Sequence, residues 1–153
     1  MKLLVAPLAL MLLASCNRDP DPQISVADAW TRATVTPSQP AAVYLKISNT
    51  GAGHDRLESV SSESGAKASV HESSLADGIT RMRALNEGVA IAPNSIVEFK
   101  PNGHHIMLEG LPTALSAGTN IAINLRFERA GDVKAQVRVV DGPAAHGAHG
   151  HGS

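Results

Sequence analysis

Over residues 24–140 the apolar residues fall in short runs, many of them alternating with polar residues, and most runs end at a turn-forming cluster. Alternation places residues i and i+2 on one face of a strand. The pattern therefore predicts strands over residues 24–32, 42–48, 56–61, 66–72, 79–85, 89–91, 95–100, 105–109, 120–128 and 133–140. Asn49-Thr50-Gly51, Ala76-Asp77-Gly78, Asn86-Glu87-Gly88, Pro93-Asn94, Pro101-Asn102-Gly103 and Gly131-Asp132 supply the reversals. Many short strands at this spacing predict an all-β domain, an antiparallel β-sandwich. Residues 111–117 have room for one helical turn at most, and no internal repeat is visible.

The two ends break the pattern. Met1-Lys2 is a short positive start, residues 3–13 are apolar apart from Pro7, and Ala14 and Ser15 are small. That order is a secretory leader, and the apolar run falls short of the ~20 residues of a spanning helix. Leu13-Ala14-Ser15-Cys16 resembles a bacterial lipobox. The resemblance implies removal of residues 1–15 and lipidation of Cys16, which anchors the chain to a membrane. Polar, proline-containing residues 16–23 read as a tether, residues 24–141 as the sandwich, and residues 142–153 as a flexible tail. The tail carries His146, His149 and His151 and nothing that can fill a core.

Composition narrows the function. Thirteen Lys+Arg stand against 14 Asp+Glu, a formal charge of -1, which excludes an electrostatic nucleic-acid binder. Trp30, Tyr44, Phe99 and Phe127 are the only aromatics of those kinds, too few for a stacking platform. One cysteine, Cys16, permits no internal disulfide, CxxC pair or cysteine zinc site. No GxSxG, HExxH, P-loop or GxGxxG motif is present, so nothing points to an enzyme.

Beyond the leader, the methionines are Met82 and Met107. In His105-Ile106-Met107-Leu108-Glu109, Ile106 and Leu108 make the better core face, which turns His105 and Met107 the other way. In Ala68-Ser69-Val70-His71, Val70 goes inward and His71 outward with Ser69. Met82 shares a face with Thr80 and Ala84, and alternation alone does not assign it. Two thioethers and two imidazoles form a soft, neutral donor set suited to Cu(I). The set is poor for zinc, and without a nearby cysteine it is no blue-copper centre. Neutral ligands leave the ion's charge uncompensated, which suits a carrier that must release its metal.

His71, Met82 and the pair His105-x-Met107 resemble the His/Met signature of the periplasmic copper chaperones of the PCu(A)C type. Asp28-Ala29-Trp30-Thr31-Arg32, Ala41-Ala42-Val43-Tyr44-Leu45, Asn49-Thr50-Gly51, Asp55-Arg56-Leu57, Val70-His71-Glu72, Met82-Arg83 and residues 100–108 are similar to that family too. The likeness covers roughly residues 24–140. It implies a cupredoxin-like β-sandwich that holds Cu(I) at His71, Met82, His105 and Met107. It also implies delivery toward the binuclear copper centre of cytochrome c oxidase, alongside Sco-type proteins, from a periplasm-facing membrane surface or from the soluble periplasm. The sequence departs from the family in two places. Glu72, Ser73 and Ser74 stand where many relatives carry a further methionine. His104 stands where tyrosine is common, which makes it a possible auxiliary ligand. The tail histidines form a second candidate site, whose nitrogen donors suit Cu(II). Two other readings stay open from the residues: copper storage or resistance, and a lipid-anchored sandwich that binds no metal.

Overall fold

A computed structural model describes residues 19–142 of the chain. It contains ten strands: β1 (Ile24–Arg32), β2 (Ala41–Asn49), β3 (Asp55–Ser62), β4 (Lys67–Ala76), β5 (Ile79–Ala84), β6 (Val89–Ile91), β7 (Ser95–Phe99), β8 (His104–Glu109), β9 (Asn120–Phe127) and β10 (Gly131–Val140). Each answers to one of the ten predicted runs. The lateral order is β5-β4-β8-β7-β2-β1-β10-β9-β3-β6, with a further pairing of β8 to β2.

Alternation drives the core as expected. Ala41, Val43, Leu45 and Ile47 of β2 point inward with at most 3% exposure. Ile123, Leu125 and Phe127 of β9 and Ala135, Val137 and Val139 of β10 do the same from their strands. Burying each larger side chain is worth about 1.5–3 kcal/mol, so one continuous core holds the sandwich. Residues 111–117 form no helical turn; Leu111 and Leu115 instead drop into the core. Thr34 fixes that loop, its N–H donating to Leu115 O at 3.0 Å and its Oγ1 accepting the Leu115 N–H at 2.9 Å.

The sheet is not wholly antiparallel. β1 and β10 pair in parallel, joining the first and last strands of the fold. β7 and β8 run along successive halves of β2, residues 45–49 and 41–43, so they point the same way and meet in parallel at Phe99 and His104.

Several motifs that carried the family likeness are structural. Asn49, 1% exposed, satisfies all four of its amide positions. Its Oδ1 accepts from Gln23 N and Gly51 N, and its Nδ2 donates to Gly53 O and Ala92 O. The buried Asp55 carboxylate accepts the backbone N–H groups of Arg56, Arg129 and Ala130 at 2.8–2.9 Å. Trp30 and Tyr44 pack ring to ring at 4.7 Å on the outside of the sheet, with the Arg32 guanidinium over Trp30.

The expected tether over 16–23 is free at most in part. Residues 19–23 lie along the 49–53 loop, with Gly53 N donating to Asp21 O and the Arg129 guanidinium donating to Asp19 O and Pro20 O. A Cβ at Gly53 would overlap the Pro20 carbonyl, so glycine is what lets this strap lie down.

Candidate metal centre

Three neighbouring strands, β5, β4 and β8, build the centre. Opposed residues of a ladder lie on the same face, as do i and i+2 along a strand. His71 opposes His105, Ser69 opposes Met107, and Ser73 opposes Met82. Since 69, 71 and 73 alternate along β4, His71, Met82, His105 and Met107 all share one face of this patch. Ile106 and Leu108 fill the core from the other face at 0% exposure. Alternation had already separated His105 and Met107 from that core; Met82 joins them through the register of the β4–β5 hairpin.

That register is set locally. Asp77 and Gly78 both take positive φ, 54° and 76°, the backbone of a two-residue type I′ turn. To reach the turn β4 continues to Ala76, beyond the predicted end at 72, and its added residues pair with residues 79–82 of β5, Met82 included. From the opposite face Glu72 braces the three strands. Its carboxylate accepts from Arg83 Nε at 2.9 Å and Nη2 at 2.6 Å, and lies 3.7 Å from His104 Nε2.

His104 therefore turns away from the His/Met face, with its ring 5.7 Å from that of Phe99. The sequence pattern starts this strand one residue later, at His105, and leaves His104 as a possible auxiliary ligand. The strand already begins at His104, so alternation sends its side chain to the face opposite His105. Cys16, His146, His149 and His151 lie outside the described residues.

Nε2 of His105 is 3.3 Å from Sδ of Met82. Nδ1 of the same ring is 3.0 Å from Gly103 O. A carbonyl only accepts, so Nδ1 carries the hydrogen and the neutral ring presents a bare Nε2 to the sulfur. The thioether carries no hydrogen either. Two electron-pair donors thus face each other, an arrangement completed by a proton or a soft cation. Nε2 of His71 is 2.9 Å from Ser69 Oγ, and its buried Nδ1 has no hydrogen-bond partner among the described residues. The two imidazole rings lie 5.8 Å apart and within 24° of parallel. Exposure is graded across the site: His105 is 5% exposed, His71 and Met107 are half-buried, and Met82 is 54% exposed.

Among the described residues no three His, Cys, Asp or Glu side chains gather as a metal-binding group. What this face offers is imidazole and thioether, which select soft ions. The sequence reading assigned no role to Ser69, Gly103 O or the Glu72–Arg83 brace. Only Ser69 had left a signal there, being two residues before His71 on the same strand.

Known proteins share this architecture. The apo PCuAC domain from PmoF1 superposes with a TM-score of 0.64 at 24% identity, over 78% of this chain and 94% of that one. The copper-bound PCuAC domain from PmoF2 gives 0.63 at 24% identity, over 78% and 93%. The fold is thus that of the PCuAC domains, the cupredoxin-like β-sandwich that the resemblance implied. A protein of Leifsonia xyli subsp. xyli named as a lipoprotein is 30% identical over 118 residues, spanning 77% of this chain and 70% of its own length. Residues 24–139, nearly all of the sandwich, match the model of the lipoprotein family described as LpqE-like, and the chain belongs to that family.

Proposed function

We propose that this chain is an exported carrier of Cu(I), not a catalyst, and that it binds one ion among His71, Met82, His105 and Met107. The observation that carries this reading is the bare Nε2 of His105 facing Met82 Sδ at 3.3 Å, beside His71. With metal–sulfur and metal–nitrogen bonds of about 2.3 and 2.0 Å, as at zinc, a tetrahedral ion sets such atoms about 3.5 Å apart. The observed gap lies close to that. Thioether favours Cu(I) over harder ions, and a PCuAC domain of the same fold, that of PmoF2, is copper-bound. Met82 stands half in solvent, where an acceptor's ligands can displace it.

The family description and the lipoprotein relative support export and anchoring. In this reading residues 1–15 are removed, Cys16 is lipidated, residues 24–141 form the copper-binding domain, and the protein faces the periplasm from a membrane surface. Residues 142–153 carry an auxiliary Cu(II) site at His146, His149 and His151. The acceptor is the binuclear copper centre of cytochrome c oxidase, reached directly or through a Sco-type protein. Anaerobic titration of the full chain with Cu(I), against a chromophoric chelator, tests the central claim. One equivalent bound and lost in His105→Ala is expected; no stoichiometric uptake refutes it.

A further inference from the structure

We propose that Ser69 is a positioning residue of this centre. Its hydroxyl holds Nε2 of His71, so that His71 meets the metal through Nδ1 while His105 meets it through Nε2. The inference rests on the copper reading above and adds the donor atoms and the group that selects one of them.

Ser69 and His71 are two apart on β4 and so share a face. The Oγ–Nε2 separation of 2.9 Å is a full hydrogen bond. A serine hydroxyl can donate or accept, and the other ring nitrogen decides which. If Ser69 donates to Nε2, the neutral ring carries its hydrogen on Nδ1, which is buried and has no partner among the described residues. A protonated ring leaves the same N–H unanswered. Orphaned buried N–H groups are rarer than under-satisfied acceptors. If instead Nε2–H donates to Ser69 Oγ, Nδ1 keeps its lone pair, and the one unpartnered buried side-chain atom among the described residues becomes an open ligand position.

His105 is held the other way round. Its Nδ1 is committed to Gly103 O and its Nε2 faces Met82 Sδ. The two nearly parallel rings are thus anchored at opposite nitrogens, one by a backbone carbonyl and the other by a side-chain hydroxyl. Only the hydroxyl can be removed by substitution. Partners that fix the tautomer of a ligating histidine are worth 10–100-fold in metal affinity.

The test compares the full chain with Ser69→Ala and Ser69→Thr. Nitrogen-15 spectra of the metal-free proteins, taken well above the ordinary imidazole pKa of about 6.5, report which nitrogen of His71 carries hydrogen. The wild type and Ser69→Thr should show protonated Nε2 and bare Nδ1, and Ser69→Ala a mixture of tautomers. Cu(I) affinity should fall at least about tenfold in Ser69→Ala and return in Ser69→Thr, with backbone amide spectra unchanged. Hydrogen on Nδ1 of His71 in the wild type overturns the proposal. So does wild-type affinity in Ser69→Ala. A wild type that takes up no Cu(I) overturns the copper reading and this proposal with it, whereas loss confined to Ser69→Ala supports both.

Discussion

Replacing Met82 by Leu separates the sulfur of this residue from its bulk. Met82 is 54% exposed on strand β5, all of whose residues are exposed. A fully buried methionine contributes about 1.5–3 kcal/mol, and less than half of this one is out of water. Leu keeps nearly the same volume, a swap that costs less than about 1.5 kcal/mol even inside a core. Stability should therefore change by less than about 1 kcal/mol, a Tm shift of roughly 4 °C or less for a domain of this size. The copper site should respond far more. Losing a partner behind a ligand costs 10–100-fold, and losing the ligand itself should cost at least about 100-fold, or about 2.8 kcal/mol at 1.4 kcal/mol per decade. Thermal unfolding of the metal-free protein and Cu(I) competition titration measure the two quantities. Ile106→Ala is the contrasting control: at 0% exposure it should lose about 2–5 kcal/mol of stability. Met82→Leu with affinity within threefold of wild type would reduce the 3.3 Å contact to packing. A stability loss above about 2 kcal/mol would refute the argument from exposure.

Asn49→Ala strips four hydrogen bonds from a buried site and leaves their backbone partners unanswered. Urea unfolding should show a loss of about 2–4 kcal/mol, with Cu(I) affinity of the folded protein unchanged. Cys16→Ser should move the protein from the membrane to the soluble fraction without altering Cu(I) binding; unchanged fractionation refutes lipidation. Truncation after residue 142 should remove Cu(II) binding and leave Cu(I) binding intact. In the full chain, Cu(II) binding should weaken as pH falls through about 6.5, because imidazole binds only when deprotonated. The Lys46 ammonium is held above its ordinary pKa, first by its hydrogen bond to Asp28 and then by that carboxylate's charge. The stability this contributes is present at neutral pH and lost as pH rises through the raised value, so Lys46→Met should be nearly silent at alkaline extremes.

The strands were legible because a half-buried strand writes its face into the sequence every second residue. Val43, Leu45 and Ile47, or Val137 and Val139, could hardly be read otherwise. The same rule turned His105 and Met107 away from Ile106 and Leu108. It failed on Met82 because β5 buries neither face, so its apolar residues carry no record of direction. Met82 is placed by Asp77-Gly78 and the register they impose, which is turn chemistry rather than periodicity. The start of β8 at His104 rather than at His105 has the same root, since a strand's first residue depends on pairing. Its pairing here is with Glu72, thirty-two positions earlier in the chain. The docking of residues 19–23 was illegible for another reason. A polar, proline-containing segment looks unstructured until Gly51, Gly53 and Arg129 are brought beneath it.

Strand β5 lies at the end of the sheet order, with one edge unpaired among the described residues and every side chain exposed. Such an edge is a template for the same edge of a second copy. Antiparallel self-pairing centred on Met82 would bring the two sulfurs together, but it would also set Arg81 of each chain against Arg83 of the other. Like charges directly opposed across a ladder are unfavourable. The two arginines flanking the methionine thus weigh against self-pairing that would cover Met82, even with Arg83 partly neutralised by Glu72.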